Sequence, residues 1–143
     1  SQLTAMNFKH IYILIALTAY TCAGSSWAQE RWIKVAESRD GSYLVHALRG
    51  SYALSSNKNG EQIAVITTKS NNKKNGQVSL EKKYVRTKDC VAEQGKVVSL
   101  TMDGDFSYEN SFIFGAGSVA TSIAETICGI YTMNQQEKDG KGI

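Results

Sequence analysis

Cys90 and Cys128 stand 38 positions apart (128 − 90) and constrain the fold of this chain more than any other feature of its sequence. The third cysteine, Cys22, lies within residues 1–28, which read as an export signal, so the exported chain keeps one even pair. In an oxidising compartment such a pair is more often a bridge than two free thiols. A metal site and a reactive thiol are the rivals, but neither cysteine has a second Cys or His at ligand spacing, and no His follows Cys90. In the chain-entropy account, closing a loop of this length stabilises a fold by roughly 4 kcal/mol. That is a large share of what holds a small domain together.

The export signal is read from its three parts. Met6 is taken as the true start, with Ser1 to Ala5 an upstream extension; Asn7, Phe8, Lys9 and His10 then lead into the apolar run Ile11 to Ala19. The run suits a signal peptide's apolar segment and falls short of the roughly 20 residues that span a bilayer as a helix. Ser26 and Ala28 place small residues at the third and first positions before a cut after Ala28, which makes Gln29 the first exported residue. Acylation at Cys22 is the alternative, but Ala19, Tyr20 and Thr21 lack the usual Leu and put Thr where Gly or Ala is preferred.

Cleavage after Ala28 leaves 115 residues (143 − 28), enough for one domain with a modest core. Residues 29–143 carry 15 Lys or Arg and 13 Asp or Glu, a net of +2, which gives no argument for a nucleic-acid partner. The charges are unevenly placed: residues 29–96 hold 13 basic and 7 acidic side chains, and residues 97–143 hold 2 and 6. We expect the two halves to interleave and pair in the fold rather than form opposed faces.

Strand signals fill the first two thirds of the exported chain. Arg31 to Ser38 and Tyr43 to Leu48 flank Asp40-Gly41, a hairpin signal for a type I′ turn. A second turn at Asn57 to Gly60 precedes Gln62 to Lys69, whose two apolar sets predict a central strand covered on both faces. Ser70 to Gly76 is a polar loop ended by glycine. Val78 to Cys90 reads as a long strand of mixed period, for which a bulge or an edge position is expected. Gln94-Gly95 is read as the next turn and Lys96 to Met102 as a further strand, ended by Asp103, Gly104 and Asp105.

Phe106, Tyr108, Phe112 and Phe114 form an aromatic segment that reads either as core or as the wall of a binding site, with core the default. Ser118 is a favoured helix N-cap. Val119, Ile123, Ile127 and Ile130 recur at helical spacing after it, with Cys128 beside that face. Gly129 is the expected stop, and the polar residues 134–143 are expected to be disordered. The fold class is therefore α+β: an antiparallel sheet of about five or six strands, one C-terminal helix and one disulfide. The organisation is a signal peptide over 1–28, a single domain over 29–133 and a tail over 134–143.

A Trp-containing first strand followed by Asp-Gly and Tyr43, a Lys-rich strand running into Asp89-Cys90, a following strand, a segment with Tyr108, and a terminal helix carrying Ile127-Cys128 together resemble the surface-adhesin protein E family. Members are small exported bacterial domains, several of them lipoproteins, with an antiparallel sheet and a helix, and the namesake is implicated in binding host matrix proteins. The resemblance covers about residues 31–131 and implies an exported, non-catalytic protein that binds host or envelope proteins. Arg86 and Lys88 stand where that pattern has apolar residues, and the prolines usual before the helix are absent. The shared motif is structural, so it transfers no binding residues.

Chemistry-bearing motifs are sparse. His46 is the lone histidine of the exported chain, and no Ser-His-Asp set, paired zinc histidines or phosphate loop is present; Gly115-Ala116-Gly117 is too short and Gly104 is isolated. Asp103 and Asp105 lack the twelve-residue ligand loop of a calcium site. No cofactor, metal or catalytic residue is expected. The candidate partner-binding residues are Lys73 and Lys74 in the polar loop and Lys82, Lys83, Arg86 and Lys88 in the adjoining strand, six cations that a hairpin gathers into one strip. That strip is either a solvated edge or the seat of an acidic protein partner. Two function classes follow: an adhesin-like binding module, and a soluble periplasmic interaction protein such as an inhibitor or assembly factor.

Overall fold

A computed structural model describes residues 31–141; the expected signal peptide, the expected cut after Ala28 and Cys22 lie outside the described residues. Seven strands form one antiparallel sheet: β1 (Trp32–Glu37), β2 (Tyr43–Leu48), β3 (Ala53–Ser56), β4 (Gln62–Asn72), β5 (Gln77–Arg86), β6 (Gln94–Leu100) and β7 (Phe106–Ile113). A short helix α1 (Thr87–Ala92) sits between β5 and β6, and a long helix α2 (Val119–Lys141) closes the described chain. The spatial order is β1-β2-β4-β5-β6-β7, with β3 off this path and paired to β4. β5 occupies one side of β4 along its length, from Ile63↔Arg86 to Asn72↔Gln77. The other side is shared by β2 (Tyr43↔Asn72 to Ala47↔Thr68) and β3 (Ala53↔Val65 to Ser56↔Gln62). In effect β2 and β3 are one strand broken at Arg49 to Tyr52. β3 carries no apolar alternation, which is why the sequence pattern missed it.

The first hairpin forms at the expected place with different turn chemistry. Only Gly41 takes a positive φ, at 72°, so the turn is not type I′, which needs two such residues. Asp40 organises it instead: its Oδ1 accepts from the Ser38 and Ser42 hydroxyls, both at 2.7 Å, and from the Ser42 amide at 3.0 Å. These bonds, the Ser42 hydroxyl foremost, hold the Asp40 carboxyl below its usual range.

One face of the sheet carries the core. Ala36, Val45, Ala64, Ile66, Val85, Val97 and Phe112 point to the side on which α2 lies, and meet Ile123, Ala124 and Ile127 from the helix. α2 touches both edge strands, β1 and β7, so the sheet is curled around it. On the opposite face of β4 Ile63 is buried while Val65, Thr67 and Lys69 stay partly open, so the second face of this strand is covered only at one end.

β5 also departs from expectation. It is an interior strand with an uninterrupted register to β4, not a bulged or edge strand, and it ends at Arg86. Asp89-Cys90 belongs to α1, whose last turn closes on Glu93 at φ 61° with its amide on the Cys90 carbonyl. Gln94-Gly95 accordingly opens β6 instead of making a turn. Gly95 lies so close to Asp89 that a Cβ there would stand 2.7 Å from the Asp89 Cβ and nearer still to its carboxyl carbon. Arg86 fixes that carboxylate through two bonds, at 3.0 and 3.2 Å.

The disulfide links Cys90 of α1 to Cys128 of α2, with Cα atoms 5.3 Å apart and both residues buried. Ser118 caps α2 through its hydroxyl, which accepts the Thr121 amide at 3.0 Å. The helix does not stop at Gly129, and residues 134–141 continue it rather than forming a disordered tail. Gly129 sits on the exposed side, where no core contact forces a break, and Met133, Gln135, Gln136, Glu137 and Lys138 are good helix formers.

Candidate functional site

The curled sheet has a concave face only partly filled by α2. Strand alternation puts residues of one parity there. Toward one end the concave face is apolar, but toward the other it presents Thr68, Ser70, Ser79, Glu81, Lys83, Ser99 and Tyr108. The register sets Ile66, Lys83, Ser99 and Tyr108 side by side across β4, β5, β6 and β7. Cross-strand neighbours on one face lie about 5 Å apart at Cβ, close enough for their polar ends to meet.

They do meet. The Lys83 ammonium donates to Ser99 Oγ at 2.6 Å and Tyr108 Oη at 3.0 Å, with Glu81 Oε1 at 3.5 Å. Tyr108 Oη donates in turn to Glu81 Oε1 at 3.1 Å, and the Glu81 carbonyl accepts from Thr68 Oγ1 at 3.3 Å. The ammonium also stands 4.9 Å from the Tyr108 ring centre. Lys83 is 2% exposed and Glu81 9%, a level of burial that an unpaired ion would not tolerate. Beside them, the buried Ser70 hydroxyl neighbours that of Tyr43. Tyr43 and Tyr108 remain neutral phenols, because burial above all raises both above the ordinary value of 10.0.

Two hollows open on this cluster. One, of about 420 Å³, runs between Lys83, Ser99 and Tyr108 and the first turn of α2 at Ser118, Val119 and Ala120. The other, of about 290 Å³, is lined by Ser70, Asn72, Gln77, Ser79, Glu81 and Ser107. Tyr43 and Tyr108 line both, so the hollows form one trough divided by two aromatic rings. A third hollow of about 410 Å³ lies on the convex face by Ile63, Tyr84, Leu100 and Phe106, but no buried ionisable group faces it.

The six expected cations do not form a strip. Lys83 points into the concave face, whereas Lys82 and Arg86 lie on the convex one, since neighbours in a strand face opposite ways. Arg86 is held by Asp89 and Glu61, Lys88 also pairs with Glu61, and Lys74 sits 3.4 Å from Asp40. Lys73 is exposed in the β4–β5 turn. Within the first half Lys34, Lys74, Lys83, Arg86 and Lys88 pair with that half's own acids, and Lys96 with Glu109, at 2.9 Å, is a pair that joins the two halves.

The aromatic segment splits in the same way. Phe112 is core, with the Phe114 ring 5.9 Å away, Tyr108 walls the trough, and Phe106 is exposed on the other face. His46 is half-buried, its Nδ1 has no partner, and burial followed by the Lys69 charge depresses its pKa. Among the described residues no group of three or more His, Cys, Asp or Glu could hold a metal ion.

Sequence reasoning missed Glu81, Ser99 and Tyr43 as site residues. The available signal was the Glu81-x-Lys83-x-Val85 spacing, which puts an opposite-charge pair on the same face as a core valine. No protein-family model, curated protein or solved structure matches this chain.

Proposed function

We propose that this chain is an exported, non-catalytic binding protein of the surface-adhesin protein E type, and that its ligand is held in the concave trough. The observation that carries the reading is the network of the buried Lys83, Glu81 and Ser99 with the more exposed Tyr108, opening on a cleft of about 420 Å³. Buried ionic networks cost desolvation and are poor sources of stability, so their presence beside a cavity points to use. Binding fits the network better than catalysis does. Ser99 accepts from an ammonium already paired with Glu81, so no free base faces the serine hydroxyl as a nucleophile would require. Export is supported by the Cys90–Cys128 bridge, since such bonds persist in oxidising compartments. No helix among the described residues is long and apolar enough to cross a membrane.

The test is a pull-down from envelope extract and from host serum, run side by side with the unaltered protein and with Tyr43→Ala and Ser107→Trp. Partner recovery that falls in both variants while the far-UV spectrum is unchanged supports the reading. Undiminished recovery moves binding off the trough. Cell fractionation places the protein: material on intact cells fits the adhesin reading, and material confined to the soluble periplasm fits an inhibitor or assembly factor instead.

A further inference from the structure

We infer that the trough takes a neutral saccharide, a ligand that offers ring hydroxyls and an apolar ring face rather than a formal charge; the inference rests on the concave trough being the binding site. The first argument is charge. The ionised groups facing the trough, Lys83 and Glu81, are paired with each other and linked through Tyr108, so the site presents no net charge to attract an ion. An ionic ligand would have to break a buried pair to enter, leaving one member uncompensated.

The second argument is the density of hydrogen-bonding groups. Ser70, Asn72, Gln77, Ser79 and Ser107 line the smaller hollow with hydroxyls and amides, each able both to donate and to accept. A hydroxyl also does both, and a pyranose carries several at fixed spacing. Ser70 is 96% buried and lines this hollow, with the Tyr43 hydroxyl as the neighbour of its own. An incoming hydroxyl can share this group with the Tyr43 hydroxyl beside it.

The third argument is the pair of aromatic rings. Tyr43 and Tyr108 divide the two hollows, and the face of an aromatic ring is electron-rich. The carbon-bound hydrogens on one side of a pyranose are weakly positive and apolar, and they stack on such a face while the hydroxyls reach outward. Each hollow, at about 420 and about 290 Å³, is of a size that holds a sugar ring.

The experiment is a titration of the full exported protein, ¹⁵N-labelled and followed by amide shifts, with maltotriose and with chitotriose as probes. Parallel arms use triserine and a sulfated heparin disaccharide. At least one neutral sugar should give saturating shifts at Ser79, Ser99, Ser107 and Tyr108 in the millimolar range or below. The affinity should not change with salt and should weaken by about tenfold or more in Tyr43→Ala and in Ser107→Trp, the second filling the trough from an exposed position. Saturation by triserine alone overturns the saccharide assignment and leaves the trough as a peptide site. Saturation by the sulfated disaccharide alone, lost with salt, overturns neutrality. If no probe shifts these residues and both variants still recover partners undiminished, the saccharide and the trough fail together.

Discussion

Replacing Cys90 and Cys128 together by Ala should destabilise the protein by about 5 kcal/mol. The larger part is entropic: the bridge closes a loop of 38 positions, and releasing it returns about 4 kcal/mol of freedom to the unfolded chain. The remainder, about 1 kcal/mol, comes from removing two sulfurs from residues only 8% and 3% exposed, which leaves a small void between α1 and α2. Urea unfolding followed by far-UV circular dichroism reads the sum. With a slope of about 1.5 kcal/mol per molar for a domain of this size, the midpoint should fall by roughly 3 M. The slope itself should rise, because an uncrosslinked chain exposes more surface when unfolded. Reductant should move the unaltered protein most of the same distance and leave the double variant unmoved. A loss below about 1 kcal/mol would refute the reasoning, because the loop would then be held by other contacts even when the rest is unfolded. Free alkylation of both thiols in the native protein would refute it more directly.

Lys83→Met should cost about 3 kcal/mol by leaving Glu81 and the Ser99 and Tyr108 hydroxyls without their buried donor, and adding Glu81→Gln should recover part of it; a thermodynamic cycle in urea gives both numbers. Gly95→Ala should cost about 2 kcal/mol, since the new methyl meets Asp89 at 2.7 Å or less while Arg86 holds that carboxylate in place; thermal melts in which Asp89→Gly fails to offset the loss would point elsewhere. The Glu61 carboxyl is pulled from 4.5 to about 2, first by the hydrogen bond from Lys88 and then by Asn57. Its folded pKa is depressed, so its stabilisation is complete above the unfolded value and is lost as pH falls from about 4.5 toward about 2. Melts stepped down through that window should show the loss, and Glu61→Gln should flatten it.

The sequence by itself determined the class of object: the lone even cysteine pair, the glycine turns at Gly41 and Gly60, and the four-four-three spacing of Val119, Ile123, Ile127 and Ile130. Each is a local signal, a backbone preference or a periodicity that survives any packing. The N-cap at Ser118 is of the same kind, one hydroxyl and one amide three residues on. The sites of failure depend on what lies across the sheet. Whether β5 is an edge or an interior strand follows from β4 and β6 taking both its sides, which no run of residues 77–86 encodes. The same holds for Lys83. Its charge predicts a solvated surface, and only the register that brings Glu81, Ser99 and Tyr108 within hydrogen-bonding reach makes burial tolerable and turns a presumed basic strip into the floor of a trough. Gly129 suggested a stop because glycine weakens a helix, but the exposed side on which it falls is set by how α2 rests in the curl of the sheet, and there the helix runs on to Lys141.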